Sequence, residues 1–312
     1  MPQINKQYVD IPMTNYSLEL KNYNLISDML FPTIPVKLRT GIYYEYGQDD
    51  FDVSDSDVRA PGASAGVVDY DLIERTYGPL NDHSLKMKIP LENQENVMSP
   101  LDPFRDATRK LTARAKLYKE VDAAAKMSDT SKVTQYASLA STPWSDYNSS
   151  NIMTTLTTAF DALALSIQKP RQELTVVLPY PVYSVVIQHP EVIERFKYSQ
   201  AAIITPEMLK NLWQVKEVIV AYAVKKTSKE GQTNVNDYVW GKNVWVMYRE
   251  ETPALQTVSG AYTLNMPSVF GPWVMKRWYD TDKESDFMRI SYYYQQYIMA
   301  PQAIYLFTNV IP

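Results

Sequence analysis

The sequence contains no cysteine and only two histidines in 312 residues. Without cysteine there can be no disulfide framework, zinc–thiolate site or thiol nucleophile, and the chain is suited to folding in a reducing cytoplasm. His83 and His189 are the available imidazoles, and neither stands in a pattern with a nucleophile or a metal ligand. The motifs GxSxG and GxGxxG and the phosphate-binding P-loop are also missing. The sequence therefore predicts structural histidines, no cofactor and no enzyme activity.

Glycine, excess charge and long apolar runs are scarce as well. The chain has nine glycines, a residue that small-molecule enzymes use in tight loops around a ligand. The formal net charge is −4, so no overall basic character marks a nucleic-acid-binding protein. No window approaches the roughly 18 apolar residues of a membrane span, and the first residues lack the apolar core of a signal peptide. We expect no membrane segment and no signal peptide.

Tyrosine and proline are abundant by contrast, at 24 and 20 residues. Hydrophobic residues make up 45% of the chain and charged residues 21%, which is typical of a globular protein. Many tyrosines and prolines favour extended strands and long ordered arms that contact other proteins. A plain β-rich core would also use tyrosine in this way.

The longest helical pattern runs from Asp102 to Met127. Asp102 can cap its first turn, and Pro103 occupies the position where a missing N–H costs nothing. At about 1.5 Å per residue the helix would be roughly 40 Å long, enough to cross a sheet as a strut. Its predicted apolar face consists of Phe104, Ala107, Leu111, Ala115, Tyr118, Val121 and Ala125. Its other faces carry Arg105, Arg109, Lys110, Arg114, Lys116, Lys119, Glu120 and Lys126.

The chain before this helix has the pattern of an extended arm followed by a long hairpin. Residues 1–36 are interrupted by prolines, and only Leu25 to Phe31 favours a helical turn or two. Ile42 to Tyr46 predicts a strand, Arg59 to Gly66 a flexible tip, and the chain returns in extended segments at 67–77 and 84–89. Because such a hairpin has little core of its own, we expect it to pack on another subunit.

The chain after the helix predicts a compact α/β block and then long strands. Helices are expected at 151–168 and after Thr205-Pro206, with helical turns broken at Pro181 and Pro190 over 180–196. Strands are expected at 174–178, at 215–224 as a central strand, and at 244–248, with a polar loop at 225–236. The strands 274–279 and 287–299, joined by a polar turn, and a last one near 303–309 should rejoin the sheet that the long helix crosses.

This order of elements, together with two local stretches, resembles the HK97-fold major capsid proteins of tailed bacteriophages over essentially the whole chain. Ile26 to Phe51, with "LFP" and Pro-Val before a "YYEY" strand, is similar to the segment from arm to E-loop in that family. Ile187 to Val224, with a "TPEML" cap before a "VKEVIV" strand, is similar to a stretch of the family's A domain.

The resemblance implies an α+β protein of the HK97-like capsid fold with a specific division of the chain. Residues 1–36 would be the N-terminal arm and 37–98 the E-loop, a β-hairpin. Residues 99–139 and 266–312 would form the P domain, with its spine helix at 102–127 and the C-terminal strands. Residues 140–265 would form the inserted A domain.

The resemblance also implies function and partners. The chain would be a structural protein that self-assembles into pentamers and hexamers of an icosahedral shell around double-stranded DNA, in the virion. Assembly would occur in the host bacterial cytoplasm, with a portal. Because only a short arm precedes the E-loop, a separate scaffolding protein is expected. No residue pair matches the Lys–Asn cross-link of some family members.

Charged residues of the hairpin are the candidate inter-subunit contacts, namely Asp49, Asp50, Asp52, Arg59, Glu74 and Arg75. The acidic residues 49–57 have the oxygen ligands that Ca²⁺ or Mg²⁺ prefers. They lack the Gly and closing Glu of an EF-hand, so a solvated acidic rim or a partner for basic residues is the simpler interpretation. The basic helix face could meet packaged DNA, solvent or acidic groups of a neighbour.

Three other functions fit parts of the pattern. A compartment shell of the encapsulin type would share the fold and enclose a cargo enzyme. A hydrolase with β-rich binding arms would need a nucleophile, base and acid that converge, and the scarcity of histidine counts against it. A tail or baseplate protein would be β-rich without the long helix and the α/β block.

Overall fold

The computed structural model describes residues 8–9, 25–46, 61–62, 72–95, 102–197, 204–229, 231–233, 235–251, 259–268 and 271–312. Its helices are α1 (Ser27–Leu30), α2 (Leu91–Glu95), α3 (Pro103–Met127), α4 (Ile152–Ile167), α5 (Tyr180–Gln188), α6 (Pro190–Phe196) and α7 (Pro206–Trp213). Its first strands are β1 (Tyr8–Val9), β2 (Thr33–Pro35), β3 (Gly41–Tyr46), β4 (Leu72–Tyr77), β5 (Asn81–Pro90), β6 (Gln135–Ser138), β7 (Leu174–Pro179) and β8 (Glu217–Ala221). The remaining strands are β9 (Val224–Lys226), β10 (Asn236–Tyr238), β11 (Val244–Tyr248), β12 (Ala261–Asn265), β13 (Val274–Asp280), β14 (Ser285–Ile298) and β15 (Ile304–Thr308).

Helix α3 begins and ends where the sequence predicts. The Asp102 carboxylate accepts hydrogen bonds from the backbone N–H groups of Phe104 and Arg105, with Pro103 in the first turn. At the other end, the indole N–H of Trp245 donates to the carbonyl of Met127 at 2.9 Å. The caps satisfy backbone groups that a helix leaves open at its termini.

The first half of α3 packs on a six-stranded sheet whose long central strand is β14. Strand β14 pairs antiparallel with β13, β5 and β12, and β1 and β2 extend the sheet at β13 and β12. Ala107, Leu111 and Ala115 of the helix form one apolar cluster with strand residues of this sheet, among them Met288 and Ile290. Strands β13 and β14 therefore join the sheet that the first half of the helix crosses, as predicted, whereas the last strand, β15, does not and lies in a second, five-stranded sheet.

The second half of α3 packs on a different sheet, which has five strands in the order β6-β15-β11-β7-β8. Ala123, Ala124 and Met127 share a cluster with Trp245 and Leu306 on one face of this sheet. Helices α4, α5, α6 and α7 cover the other face, where strand β7 is buried along its whole length. One helix thus joins two sheets, which is the strut that the sequence predicts.

The predicted apolar face of α3 is right in its first half and only partly right in its second, where Val121 is half-buried and packs against the apolar cluster on the five-stranded sheet. Ala107, Leu111 and Ala115 are buried, but Tyr118 is 59% exposed and Ala125 is also exposed. Lys119 and Glu120, predicted to face outward, are buried. The buried positions at steps of four continue from Ala115 to Lys119 instead. The two charged side chains can be buried there because they have polar partners on other elements.

Three further predictions need correction. Pro181 does not break a helix but lies in the first turn of α5, where proline is tolerated. The segment 215–224 is not a central strand, because β8 covers only Glu217–Ala221 and lies at the end of the five-stranded order. Part of the predicted loop 225–236 also belongs to a small antiparallel hairpin of β9 and β10.

The remaining long elements are confirmed. Helix α4 is capped by Asn151 and buries Ile152, Leu156, Phe160 and Leu163. Thr205 caps α7, and its hydroxyl accepts from the N–H of Met208. Strands β3 and β4 pair only with each other in the described part of the chain, forming a separate two-stranded hairpin.

Candidate assembly surface

The β3–β4 hairpin leaves the body of the protein through a firmly bonded neck. The Arg39 guanidinium donates to the carbonyl of Leu80 at 2.9 and 3.3 Å, and the Leu80 N–H donates to the carbonyl of Arg39 at 2.9 Å. The same guanidinium lies 5.4 Å from the ring centre of Tyr293 on strand β14. Leu80 itself is fully buried. The neck therefore fixes the direction in which the hairpin projects.

The neck also contains a close contact between a glycine and an aromatic ring. Gly41 pairs with Tyr77 across the two strands, and a Cβ at Gly41 would lie 2.6 Å from Cζ of that ring. The neighbouring Gly78 is held by a hydrogen bond from the Tyr297 hydroxyl to its carbonyl, at 3.2 Å. Glycine at position 41 is what allows the ring to cover the start of β3.

Beyond the neck the hairpin exposes apolar side chains on both faces. Ile42 pairs with Thr76 and Tyr43 with Arg75, so Ile42 and Ile73 lie on opposite faces of the hairpin. Their exposed fractions are 51% and 41%. An isolated two-stranded hairpin is only marginally stable in water, so one with two apolar faces needs a partner.

The predicted contact residues divide between described and undescribed parts of this hairpin. Glu74 and Arg75 are exposed on β4, on the faces of Ile42 and Ile73 respectively. Asp49, Asp50, Asp52 and Arg59 lie outside the described residues, as do Asp55 and Asp57 of the acidic run. Within the described ranges, no group of three His, Cys, Asp or Glu side chains could hold a metal ion.

The body is held to the N-terminal segment by a buried carboxylate that the sequence did not reveal. Glu120 of α3 is fully buried and accepts from the N–H of Ile26 at 3.0 Å and of Ser27 at 2.7 Å. It also accepts from the indole N–H of Trp240 at 2.6 Å. The carboxylate thus lies at the start of α1, where backbone N–H groups and the helix dipole favour a negative charge.

Two ion pairs also hold helix α1 to the body. Lys119 pairs with Asp28 of α1. Arg249 donates to the carbonyl of Met29 at 3.1 Å and to Glu217 at the start of β8 at 2.5 Å. The sequence did contain one indication of these contacts: Lys119 and Glu120 follow the apolar positions 107, 111 and 115 on the same side of the helix. A charged residue at a core position predicts a buried partner.

The basic residues of α3 lie on its open side. Arg105, Arg109, Lys110 and Arg114 are exposed, and Lys116 is half-buried. Cationic side chains along one face of a helix suit phosphate groups or a neighbour's carboxylates equally well.

The neighbourhood of His189 does not form a nucleophile and base. The buried Nδ1 of His189 accepts from the backbone N–H of Glu191 at 3.2 Å, which places the ring proton on Nε2. Nε2–H then donates to Ser150 Oγ at 3.0 Å, and the Ser150 hydroxyl donates to the carbonyl of Asp146. A histidine that donates to a serine cannot take its proton. Burial lowers the pKa of His189, which keeps the ring neutral.

His83 also has a structural environment. Its ring stacks on those of Tyr294 and Tyr292, with centres 4.3 and 5.5 Å apart, in the sheet beneath α3. Burial lowers the pKa of His83 as well. None of the helices in the described segments combines the length and apolar character needed to cross a membrane.

Comparison with known proteins places this fold. No model of a known protein family matches the chain. The major capsid protein of Burkholderia phage BcepMu is 23% identical, over 97% of this chain and 96% of that protein. A crystal structure of a phage-related protein from Bordetella bronchiseptica RB50 has 24% identity and a TM-score of 0.76, covering 98% and 99% of the two chains. The capsid structure of Cyanophage P-SCSP1u has 11% identity and a TM-score of 0.64, covering 92% and 89%.

The α+β architecture is therefore that of the HK97-fold shell proteins. The fold by itself does not separate capsids from compartment shells, since the SrpI encapsulin of Synechococcus elongatus also matches, with 13% identity and a TM-score of 0.54 over 97% and 96% of the chains. The curated relative is a major capsid protein of a phage. The chain is thus similar over nearly its whole length to a curated major capsid protein of a phage, and its fold is that of the HK97-like capsid proteins.

Proposed function

We propose that this chain assembles into pentamers and hexamers that tile an icosahedral shell around double-stranded DNA. A homo-oligomeric shell is the common property of the matching capsids. A separate scaffolding protein and a portal would take part in assembly, and the basic side of α3 would face the packaged DNA. Closed shells are stable because symmetry repeats each weak contact many times.

The proposed assignment of chain segments to structural regions follows the predicted domains. Residues 1–36 form the N-terminal arm, 37–98 the E-loop, 99–139 and 266–312 the P domain, and 140–265 the A domain. Strand pairing bears on the boundaries: β15 lies beside β11 in the five-stranded sheet, and β12 lies beside β14 in the six-stranded one. We propose that these two strands are exceptions to the predicted boundaries, with β15 belonging to the A domain and β12 to the P domain.

The β3–β4 hairpin carries the proposal. Its neck is fixed to the body by Arg39, while Ile42 and Ile73 expose apolar surface on both of its faces. A rigidly directed arm without its own core is suited to lie on the next subunit. Glu74 and Arg75 would contact that subunit, together with Asp49, Asp50, Asp52 and Arg59 in the undescribed part. Exposed ion pairs contribute only about 0–1 kcal/mol each, so the apolar faces would supply most of the contact energy.

The test is electron microscopy of the protein expressed alone and with its scaffolding protein. We expect shells, or rings of five and six, from the native chain, and loss of shells after deletion of residues 53–70. The double variant Ile42→Asp, Ile73→Asp should remain folded yet fail to assemble, since burying each side chain is worth about 2 kcal/mol per copy.

Ile193→Asp on α6 provides a control, because Ile193 is 48% exposed but lies outside the hairpin. Equal damage from this control would show that the defect is not specific to the hairpin. A native chain that remains monomeric in both conditions would contradict the shell function.

A further inference from the structure

Three cationic side chains lie in one row across the six-stranded sheet. Arg289 of the central strand β14 is paired with Lys86 of β5 on one side and with Lys276 of β13 on the other. Residues that are paired across neighbouring strands project from the same face of a sheet, and the strands lie about 4.8 Å apart. Lys86, Arg289 and Lys276, called the cation row from here on, therefore place three positive charges across a width of about 10 Å.

The apolar residues of the same strands explain why these charges share one face. Met87, Met288 and Met275 are the sequence neighbours of the three cations, and they pack in the apolar cluster beneath α3. Because side chains alternate between the two faces of a strand, the cation row must point away from the helix. A shift of register by one residue would expose the apolar set, so the sheet cannot separate the three charges.

The next row along the sheet adds a fourth positive charge and no negative one. It consists of Lys88 on β5, Phe287 on β14 and Trp278 on β13. The nearest carboxylates on this face of the three strands are those of Asp82 and Asp280, each four residues along its strand from the cation row, or about 13 Å. Like charges directly opposite each other destabilise a sheet. The fold therefore holds an unfavourable concentration of positive charge at this place.

Aromatic rings hold several of these cations in position. The rings of Trp278 and Phe287 stack with their centres 5.5 Å apart and an angle of 12° between their planes. Lys86 Nζ lies 5.6 Å from the ring centre of Phe287, and Lys283 Nζ, in the turn before β14, lies 5.5 Å from it. The guanidinium carbon of Arg289 lies 5.9 Å from the ring centre of Trp278. These contacts reduce the side-chain freedom that an anion would otherwise have to remove on binding.

The charge of the cation row selects a class of anion. A single carboxylate would balance only one of the three charges. A phosphate group carries up to about two negative charges, and the planar fork of an arginine fits its oxygens. Arg289 at the centre can therefore hold a phosphate directly, while Lys86 and Lys276 add a positive charge on either side. Two or three linked phosphate groups would balance the row.

We propose that the cation row is a binding site for linked phosphate groups. The site lies on the face of the sheet opposite α3, so it is separate from the basic side of that helix, and it does not depend on the proposed shell function. Free oligophosphates and the backbone of a nucleic acid both supply this chemistry. Binding measurements with each of them separate the two sources.

Thermal unfolding of the unassembled subunit with inorganic tripolyphosphate tests the site. At about 1 mM tripolyphosphate we expect Tm to rise by about 3 °C or more relative to sodium chloride of equal ionic strength, because a ligand that binds only the folded state stabilises it. Lys86→Gln should remove this rise. Without the anion its Tm should stay within about 2 °C of the native value, since the side chain is exposed. A merely structural role of Lys86 would not give this combination.

Lys110→Gln on α3 is the matched control, because Lys110 is an exposed lysine that lies outside the sheet. It should keep the full rise in Tm. Fluorescence anisotropy of a labelled duplex provides the second arm of the test. Weaker duplex binding by Lys86→Gln than by Lys110→Gln would make the DNA backbone a source of the phosphates. Equal duplex binding, together with the rise in Tm, would leave free oligophosphate as the ligand.

Three results would overturn the inference. An equal rise in sodium chloride would show that the anion acts only by general screening. A rise that Lys86→Gln retains would place the bound anion elsewhere on the subunit. No rise in Tm, together with equal duplex binding by the two variants, would show that the cation row binds neither source. All of these measurements use the unassembled subunit, so a failure of the chain to form shells would contradict the proposed function and not this site.

Discussion

The carboxylate of Glu120 in the long helix accepts a hydrogen bond from the indole N–H of Trp240, 120 residues away in sequence, at 2.6 Å. The same carboxylate receives the first N–H groups of α1. One buried side chain thus joins the spine helix, the N-terminal segment and the region after the β9–β10 hairpin. Three parts of the chain that sequence places far apart are fixed relative to one another at this point.

Replacing Glu120 should therefore destabilise the subunit strongly. Glu120→Ala leaves three buried donors without an acceptor, and we expect a loss of roughly 3 kcal/mol or more in the free energy of unfolding. Glu120→Gln should cost less, because one amide oxygen can still accept while the amide N–H₂ opposes the other donor. Chemical denaturation of the unassembled subunit measures both values. Glu194→Ala, at an exposed position on α6, is the control and should change the free energy by less than about 0.5 kcal/mol.

Stability should fall as the pH is lowered below neutrality. Burial lowers the pKa of both His83 and His189, so the folded protein holds them neutral while the unfolded chain takes up protons below about pH 6.5. The stabilisation that comes from keeping both imidazoles neutral is fully present above about pH 6.5. It is lost progressively as the pH falls toward the pKa values of the two histidines in the folded protein.

Unfolding measured between pH 7.5 and 5.5 should show this slope, and His189→Asn should make it shallower. Ser150→Ala removes the acceptor of Nε2–H without removing the titrating group, so it should lower stability while keeping the slope. An unchanged slope in His189→Asn would show that the imidazole does not contribute.

Filling the space at Gly41 should disturb the hairpin. A methyl group there would collide with the ring of Tyr77, and overpacking of this kind costs about 1–3 kcal/mol. We expect Gly41→Ala to reduce shell yield by changing the direction of the β3–β4 hairpin, and Tyr77→Leu in the same chain to recover part of it. Gly78→Ala is the matched control, because its Cβ would lie at an ordinary 3.6 Å from the Tyr297 hydroxyl. Sedimentation of assembly mixtures gives the yields.

Measuring DNA binding and shell stability separately shows whether the open basic side of α3 contacts packaged DNA or a neighbouring subunit. If it faces packaged DNA, Arg109→Gln with Arg114→Gln should weaken binding of a non-specific duplex and reduce the salt dependence by about one unit of slope per residue removed. The free energy of unfolding should stay within about 0.5 kcal/mol, since both side chains are exposed. Fluorescence anisotropy from 50 to 200 mM salt measures the binding, with Lys210→Gln on α7 as control. Unchanged DNA binding together with less stable shells would assign this side to a neighbouring subunit.

The sequence by itself determined the elements that depend on near neighbours. Asp102 with Pro103, Asn151 and Thr205 with Pro206 mark three helix starts, because a cap is formed within three residues. Apolar spacing located α4 and the strands β7, β11 and β14, since periodicity needs only one face to be buried. The order of these elements and two local stretches were sufficient for the resemblance to HK97-fold capsid proteins, which the comparisons confirm.

Only the tertiary structure decided which faces and edges these elements use. Lys119 and Glu120 look like solvent-facing charges in a helical wheel, and they are buried because Asp28, Ile26, Ser27 and Trp240 reach them from distant parts of the chain. The apolar run of strand β8 predicts a central position, yet among the described strands it pairs with β7 alone and lies at the end of the sheet. Such placements depend on contacts between residues 90 to 120 positions apart, which local propensity does not encode.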